Sequence, residues 1–159
     1  METYKLQVAL LALLVMAFIF PLSQITSGQE LSGGAKLVGT TPFLFTEAKF
    51  WILAAEVGVG LSNSDTAPSE YEESSIDFSL TGKAYPIQFN TLSPYLGFSS
   101  IFSSNGYFKQ SRTFGGVEFD FSEGGIPFSV FGGADYITKV GEGSAGFGWH
   151  LGVKYSFLF

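Results

Sequence analysis

The chain has no cysteine, so it can carry neither a disulfide nor a thiol-linked lipid. It is also poor in charge: 14% of its residues are Asp, Glu, Lys or Arg, against about 25% in ordinary soluble domains. Basic residues are the scarcer sign, 8 against 14 acidic, and the net charge of -6 argues against a nucleic-acid partner, which needs a basic patch. Long hydrophobic runs are missing too. Only Val8 to Phe20 is continuously apolar, and after Pro21 a polar residue intervenes at every second or third position. That excludes a protein built from membrane-spanning helices, each of which needs about 20 apolar residues. What the chain does have is aromatic side chains, 17% of the total and 18 of them Phe, in a length that suits one domain.

The single apolar run reads as an export signal. METYKLQ supplies a positively charged start at Lys5, VALLALLVMAFIF the apolar region, and PLSQITSG a helix break followed by small residues. Residues 1–28 are expected to be removed after Gly28, which leaves residues 29–159 as an exported domain. Glu2 and Lys5 leave together, so the net charge of the remainder is still -6.

Within that domain apolar and polar residues alternate with a period of two, the signature of half-buried strands. The final segment GFGWHLGVKYSFLF sets Phe147, Trp149, Leu151, Val153, Tyr155, Phe157 and Phe159 against Gly148, His150, Gly152, Lys154 and Ser156. Val117, Phe119 and Phe121 oppose Glu118 and Asp120, while Ile126, Phe128, Val130, Ala134 and Tyr136 oppose Ser129 and Asp135. Ile76, Phe78, Leu80 and Ala84 oppose Asp77, Ser79, Thr81 and Lys83, and Trp51, Leu53, Ala55, Val57, Val59 and Leu61 oppose Glu56, Gly58 and Gly60. LSPYLGFSSIFSS alternates less clearly, with Leu96, Phe98 and Phe102 on its apolar side. GGAKLVGTTPFLF is the weakest segment, broken at Pro42. Roomy connections at 62–73, SNGYFKQSR and TKVGEGSAG alternate with the shorter links FTEAK, PIQFNTL and SEGG, the rhythm of up-and-down antiparallel hairpins.

The faces decide the environment. Polar faces are small and sparsely charged, and the apolar ones carry Phe, Trp and Tyr near strand ends. That distribution suits a barrel turned inside out, with apolar residues against lipid and polar residues in the lumen. Closure pairs every backbone group, which hydrocarbon cannot do. The expected fold is therefore all-β: an up-and-down transmembrane barrel of nominally eight strands. Six are clear and one is weak near Lys36 to Phe45, while residues 29–35 look too short to complete the eighth.

The alternating last strand with its terminal aromatic resembles the carboxy-terminal signature of Gram-negative outer-membrane barrels, matched by Tyr155, Phe157 and Phe159 with Trp149 upstream. Together with YPIQFNTLSPYLGFSS and GGVEFDFSEGG, the stretch from about residue 50 onward resembles small outer-membrane proteins of the OmpA, OmpX and OmpW type. The resemblance implies the outer membrane as location, with lipid and lipopolysaccharide as surroundings and the barrel-assembly machinery as reader of the last strand.

Projected inward, the polar faces supply Lys36, Glu56, Asp77, Lys83, Glu118, Asp120, Asp135, His150 and Lys154. An eight-stranded barrel is just wide enough for side chains to fill, so these residues are expected to form a packed polar network in which three lysines face five carboxylates. His150, the single histidine, is expected to bond Glu118 or Asp120. It has no serine and acid arranged around it as a nucleophile would require, and no cofactor or metal is expected. Asp65, Glu70, Glu72 and Glu73 form an acidic connection whose spacing matches no calcium loop and which reads as a solvated surface. The reading that follows is a non-enzymatic structural or surface-interaction barrel. A narrow conduit for small hydrophobic molecules is the alternative; it needs a gap beside Gly58, Gly60, Gly97 and Gly148. A lipid-modifying enzyme would need His150 to act, and a soluble barrel would need the apolar faces to be a core.

Overall fold

A computed structural model describes residues 29–157 apart from 64–73, 90, 105 and 140–144. The export signal expected at 1–28, the acidic residues Asp65, Glu70, Glu72 and Glu73, and Phe159 lie outside the described residues.

Eight strands follow one another in chain order: β1 (Gln29–Val38), β2 (Thr41–Phe50), β3 (Leu53–Asn63), β4 (Ser74–Ala84), β5 (Leu92–Ser103), β6 (Phe108–Asp120), β7 (Phe128–Lys139) and β8 (Ala145–Phe157). Each neighbours the next, and β8 returns antiparallel to β1, with Gly34 opposite Lys154 and Leu37 opposite Leu151, so the sheet closes without an edge. The strand count is therefore complete. The weak segment from Lys36 to Phe45 is not a strand but the tight hairpin between β1 and β2. Gly39 makes that turn at φ +59°, a conformation glycine adopts without a Cβ penalty. FTEAK, expected to be a link, instead belongs to β2. The link that follows it is Trp51 and Ile52, with Trp51 at φ +60°, left-handed and costly by about 1–2 kcal/mol for a residue with a side chain. One end of the barrel, here the mouth, bears the connections 39–40, 64–73, 104–107 and 140–144. The other bears both strand termini and the connections 51–52, 85–91 and 121–127. Long and short connections are thus not sorted cleanly between the ends as the rhythm of the sequence suggested.

The alternation settles the two faces. Lys36, Glu56, Asp77, Lys83, Glu118, Asp135, His150 and Lys154 are buried inside, while Leu44, Leu61, Leu80, Leu96, Phe98, Trp149, Leu151 and Tyr155 are exposed outside. Aromatic pairs cluster toward the strand ends: Tyr136 with Phe147 and Phe102 with Phe108 near the mouth, Tyr155 with Phe157 and Phe121 with Phe128 at the opposite end. An apolar wall bordered by aromatics matches a bilayer, not water. Leu151→Arg, in the middle of β8, is expected to lower barrel stability in lipid by about 2–4 kcal/mol, the cost of a cation on a lipid face at mid-depth. Denaturant titration of the barrel in vesicles would measure it. An unchanged midpoint would mean that this wall does not face lipid.

Candidate functional site

The interior holds a chain of alternating charges. Lys36 pairs with Glu56. Glu56 Oε2 lies 2.8 Å from Lys83 Nζ, which lies 2.5 Å from Glu47 Oε2. Glu47 Oε1 accepts from Lys154 Nζ at 2.6 Å, and Lys154 also reaches Glu118 Oε1 at 3.0 Å. Glu118 Oε2 accepts from the Tyr85 hydroxyl at 2.9 Å and ends the series. Six strands contribute a charged member, so the chain braces the barrel across its lumen. Two smaller groups stand beside it. Arg112 pairs with Asp135, whose Oδ1 is 2.7 Å from His150 Nδ1, and His150 Nε2 is 2.5 Å from the Tyr95 hydroxyl. A carboxylate only accepts, so in the neutral ring Nδ1 carries the proton and Nε2 accepts from Tyr95. At the mouth Lys109 Nζ donates to Asp77 Oδ1 at 2.8 Å and Oδ2 at 2.9 Å.

Each group is balanced: three lysines with three glutamates, Arg112 with Asp135, Lys109 with Asp77. Balance matters because an unpaired ion in such a site costs several kcal/mol. The carboxylate excess expected from the sequence therefore does not exist. Asp120 is not part of the network; it sits at the end of β6 and accepts from the Ser122 backbone N–H at 2.8 Å, where the short helical turn Ser122–Gly124 begins. Glu47 and Arg112 join in its place. His150 bonds Asp135, not Glu118 or Asp120, because Gly148 and Gly133 beside it leave room for the imidazole and the carboxylate to meet.

Aromatic rings fill what the ions leave. Phe45, Tyr85, Tyr95, Phe114 and Phe131 form a buried cluster in the lumen, with Phe45 and Phe131 edge to face at 5.7 Å. Several inward rings lean over the neighbouring strand, where a glycine stands directly across the ladder and leaves the space. A Cβ at Gly60 would meet the Phe43 ring at 2.6 Å, one at Gly116 the Tyr95 hydroxyl at 2.6 Å, and those at Gly97 and Gly152 the rings of Phe114 and Phe131. The inward aromatics were missed in the sequence because apolar side chains were assigned to the lipid side. Lys83 Nζ lies 4.8 Å from the centroid of Phe131, so rings and ions pack as one body.

Trp149, Tyr155 and Phe157 stand on the outer face of β8. No group of three or more metal-binding side chains occurs among the described residues.

No protein-family model matches the chain, and no curated protein matches it. Among solved structures it is similar to a barrel from "De novo design of transmembrane beta-barrels", at 17% identity and a TM-score of 0.55, over 84% of this chain and 98% of that one. It is also similar to the crystal structure of Neisserial surface protein A (NspA), at 13% identity and a TM-score of 0.52, over 81% and 94%. These likenesses establish the fold, a closed eight-stranded up-and-down barrel of the transmembrane type.

Proposed function

We propose that the chain is an integral outer-membrane barrel with a closed interior, serving a structural or surface-interaction role without catalysis. The alternating chain from Lys36 to Tyr85 carries this reading, because it occupies the lumen that a conduit would need. The gap required beside Gly58, Gly60, Gly97 and Gly148 is taken up by the Ser79 hydroxyl, Phe43, Phe114 and Ile137 respectively. His150 speaks against an enzyme as well. Its ring is buried against Tyr95, Phe114 and Phe131, and both its nitrogens are committed to Asp135 and Tyr95.

Residues 1–28 then act as the export signal, the barrel-assembly machinery reads the outward aromatics of β8, and lipopolysaccharide surrounds the mouth end. The likeness to a protein named as a surface protein agrees with such a role. The test is fractionation of expressing cells, with boiled and unboiled samples compared on a cold gel. The expected result is a protein in the outer-membrane fraction whose mobility changes on boiling, and a His150→Ala variant that leaves lipid A composition unaltered. Recovery in the soluble fraction with no mobility change would overturn the location. A change in lipid A that depends on His150 would overturn the non-enzymatic role.

A further inference from the structure

On the outer wall a groove of about 490 Å³ runs across β8, β1, β2 and β3. Leu151 and Val153 form one side, Leu44, Val59 and Leu61 the other, and Leu37 stands toward the mouth. Between them lies Ala35, outward and exposed, and small where its neighbours are large. Across the ladders Ala35 pairs with Val153, Leu37 with Leu151 and Leu44 with Val59. The floor lies at two ladder pairs in which one member is glycine: Lys36 faces Gly152, and Phe43 faces Gly60. A glycine there supplies backbone and no side chain, so the groove is deeper than the gaps between leucines alone would make it. Lys36 adds no charge to it, because its ammonium is turned inward to Glu56.

We propose that this groove holds one acyl chain of a membrane lipid, kept in place longer than the chains around it. The groove is continuous with a wall that faces lipid, and its sides are hydrocarbon from Val153 to Leu61, so it suits a chain and no polar or charged ligand. Within a bilayer, burial alone favours no occupant, since lipid chains are as apolar as leucine; close packing is what retains a group. A flexible methylene chain follows a groove between leucines, whereas the convex wall of a second barrel meets this one only along a line. Any headgroup selection runs against anionic lipid. The connections 64–73 and 140–144, which join β3 and β8 at the mouth, carry Asp65, Glu70, Glu72, Glu73 and Glu142 and no base, and they outnumber Lys139 at the end of β7. The site rests on the outer wall facing lipid, which cell fractionation and the cold gel test separately.

The test is native mass spectrometry at rising collision energy. The barrel is taken in a mild neutral detergent from vesicles of equal parts dioleoylphosphatidylcholine and dioleoylphosphatidylglycerol with added free oleate. One phospholipid is expected to stay bound after all others are stripped, the choline lipid at least as often as the glycerol lipid. Ala35→Phe fills the floor and should abolish that last species. Leu44→Ala lowers one side and should let the lipid leave at lower energy. Thr113→Phe adds the same ring to the outer face of β6, on the far side of the barrel, and should leave retention unchanged. The boiling-dependent shift on a cold gel, checked for each variant, separates failure of the site from failure of the barrel. With that shift intact, the proposal is overturned by any of five results: no lipid outlasting the rest, retention unchanged by Ala35→Phe, retained oleate in place of phospholipid, enrichment of the glycerol lipid, or a protein dimer that Ala35→Phe abolishes.

Discussion

Glu47→Ala is expected to destabilise the barrel by about 3–5 kcal/mol, the usual consequence of removing one partner from a buried ion pair. Glu47 is fully buried and accepts from two lysines at once, Lys83 at 2.5 Å and Lys154 at 2.6 Å. Its loss leaves three lysines against two glutamates in the central chain, in surroundings too enclosed for bulk water to screen the excess. Glu47→Gln keeps the volume but not the charge, and should recover only the packing part of the loss. Adding Lys154→Met to Glu47→Gln restores the balance. The double variant should therefore be more stable than the two single losses sum to, by about 0.5–3 kcal/mol. Urea titration of the barrel in lipid vesicles, read by the fraction that migrates as the unboiled form, measures Glu47→Ala, Glu47→Gln, Lys154→Met and the double variant. A loss below about 1 kcal/mol for Glu47→Ala, the worth of a solvated pair, would mean that the lumen is wet and its charges are screened.

Gly34→Val should prevent closure. Gly34 sits in β1 opposite Lys154, at the seam where the first and last strands meet. A Cβ there would collide with the Val153 carbonyl oxygen, and would stand 2.8 Å from Lys154 Cα and 2.9 Å from the Phe45 ring. Two of those obstacles are backbone, which cannot swing aside as a side chain can, so the cost is about 3 kcal/mol or more and falls on the one pairing that removes the sheet edges. The expected result is loss of the boiling-sensitive form during refolding. Gly82→Val is the control, because Gly82 has nothing within 4 Å of its would-be Cβ and should refold as the parent does. Normal refolding of Gly34→Val would show that the seam tolerates more than the one register that sets Gly34 opposite Lys154.

The period of two made the outward faces of β3, β4, β6, β7 and β8 legible, because lipid demands apolar residues at every second position. It failed where the interior also holds apolar groups. In PFLF, Phe43 and Phe45 point inward beside the outward Leu44, so no alternation is visible and Glu47 looked like part of a link. Carrying the parity on from Phe43 and Phe45 would have placed Glu47 and Lys49 inside. Arg112 was hidden by the bulge at Lys109, which shifts the parity and makes the start of β6 resemble a loop. Tyr95 has the inward parity implied by Leu96 and Phe98 facing out, yet an aromatic there reads as lipid-facing until Gly116 is seen across from it. Asp120 had the right parity and the wrong height: at a strand end the side chain finds a turn N–H before it finds the lumen. Height along the barrel depends on register, and alternation alone carries no information on register.

The most direct test of a closed interior is planar-bilayer recording with protein that has passed the cold-gel assay. A lumen filled by the chain from Lys36 to Tyr85 and by the rings of Phe45, Tyr95, Phe114 and Phe131 predicts no steady conductance step. Steady, ion-selective steps from that same material would contradict it, and would make these residues the lining of a pore.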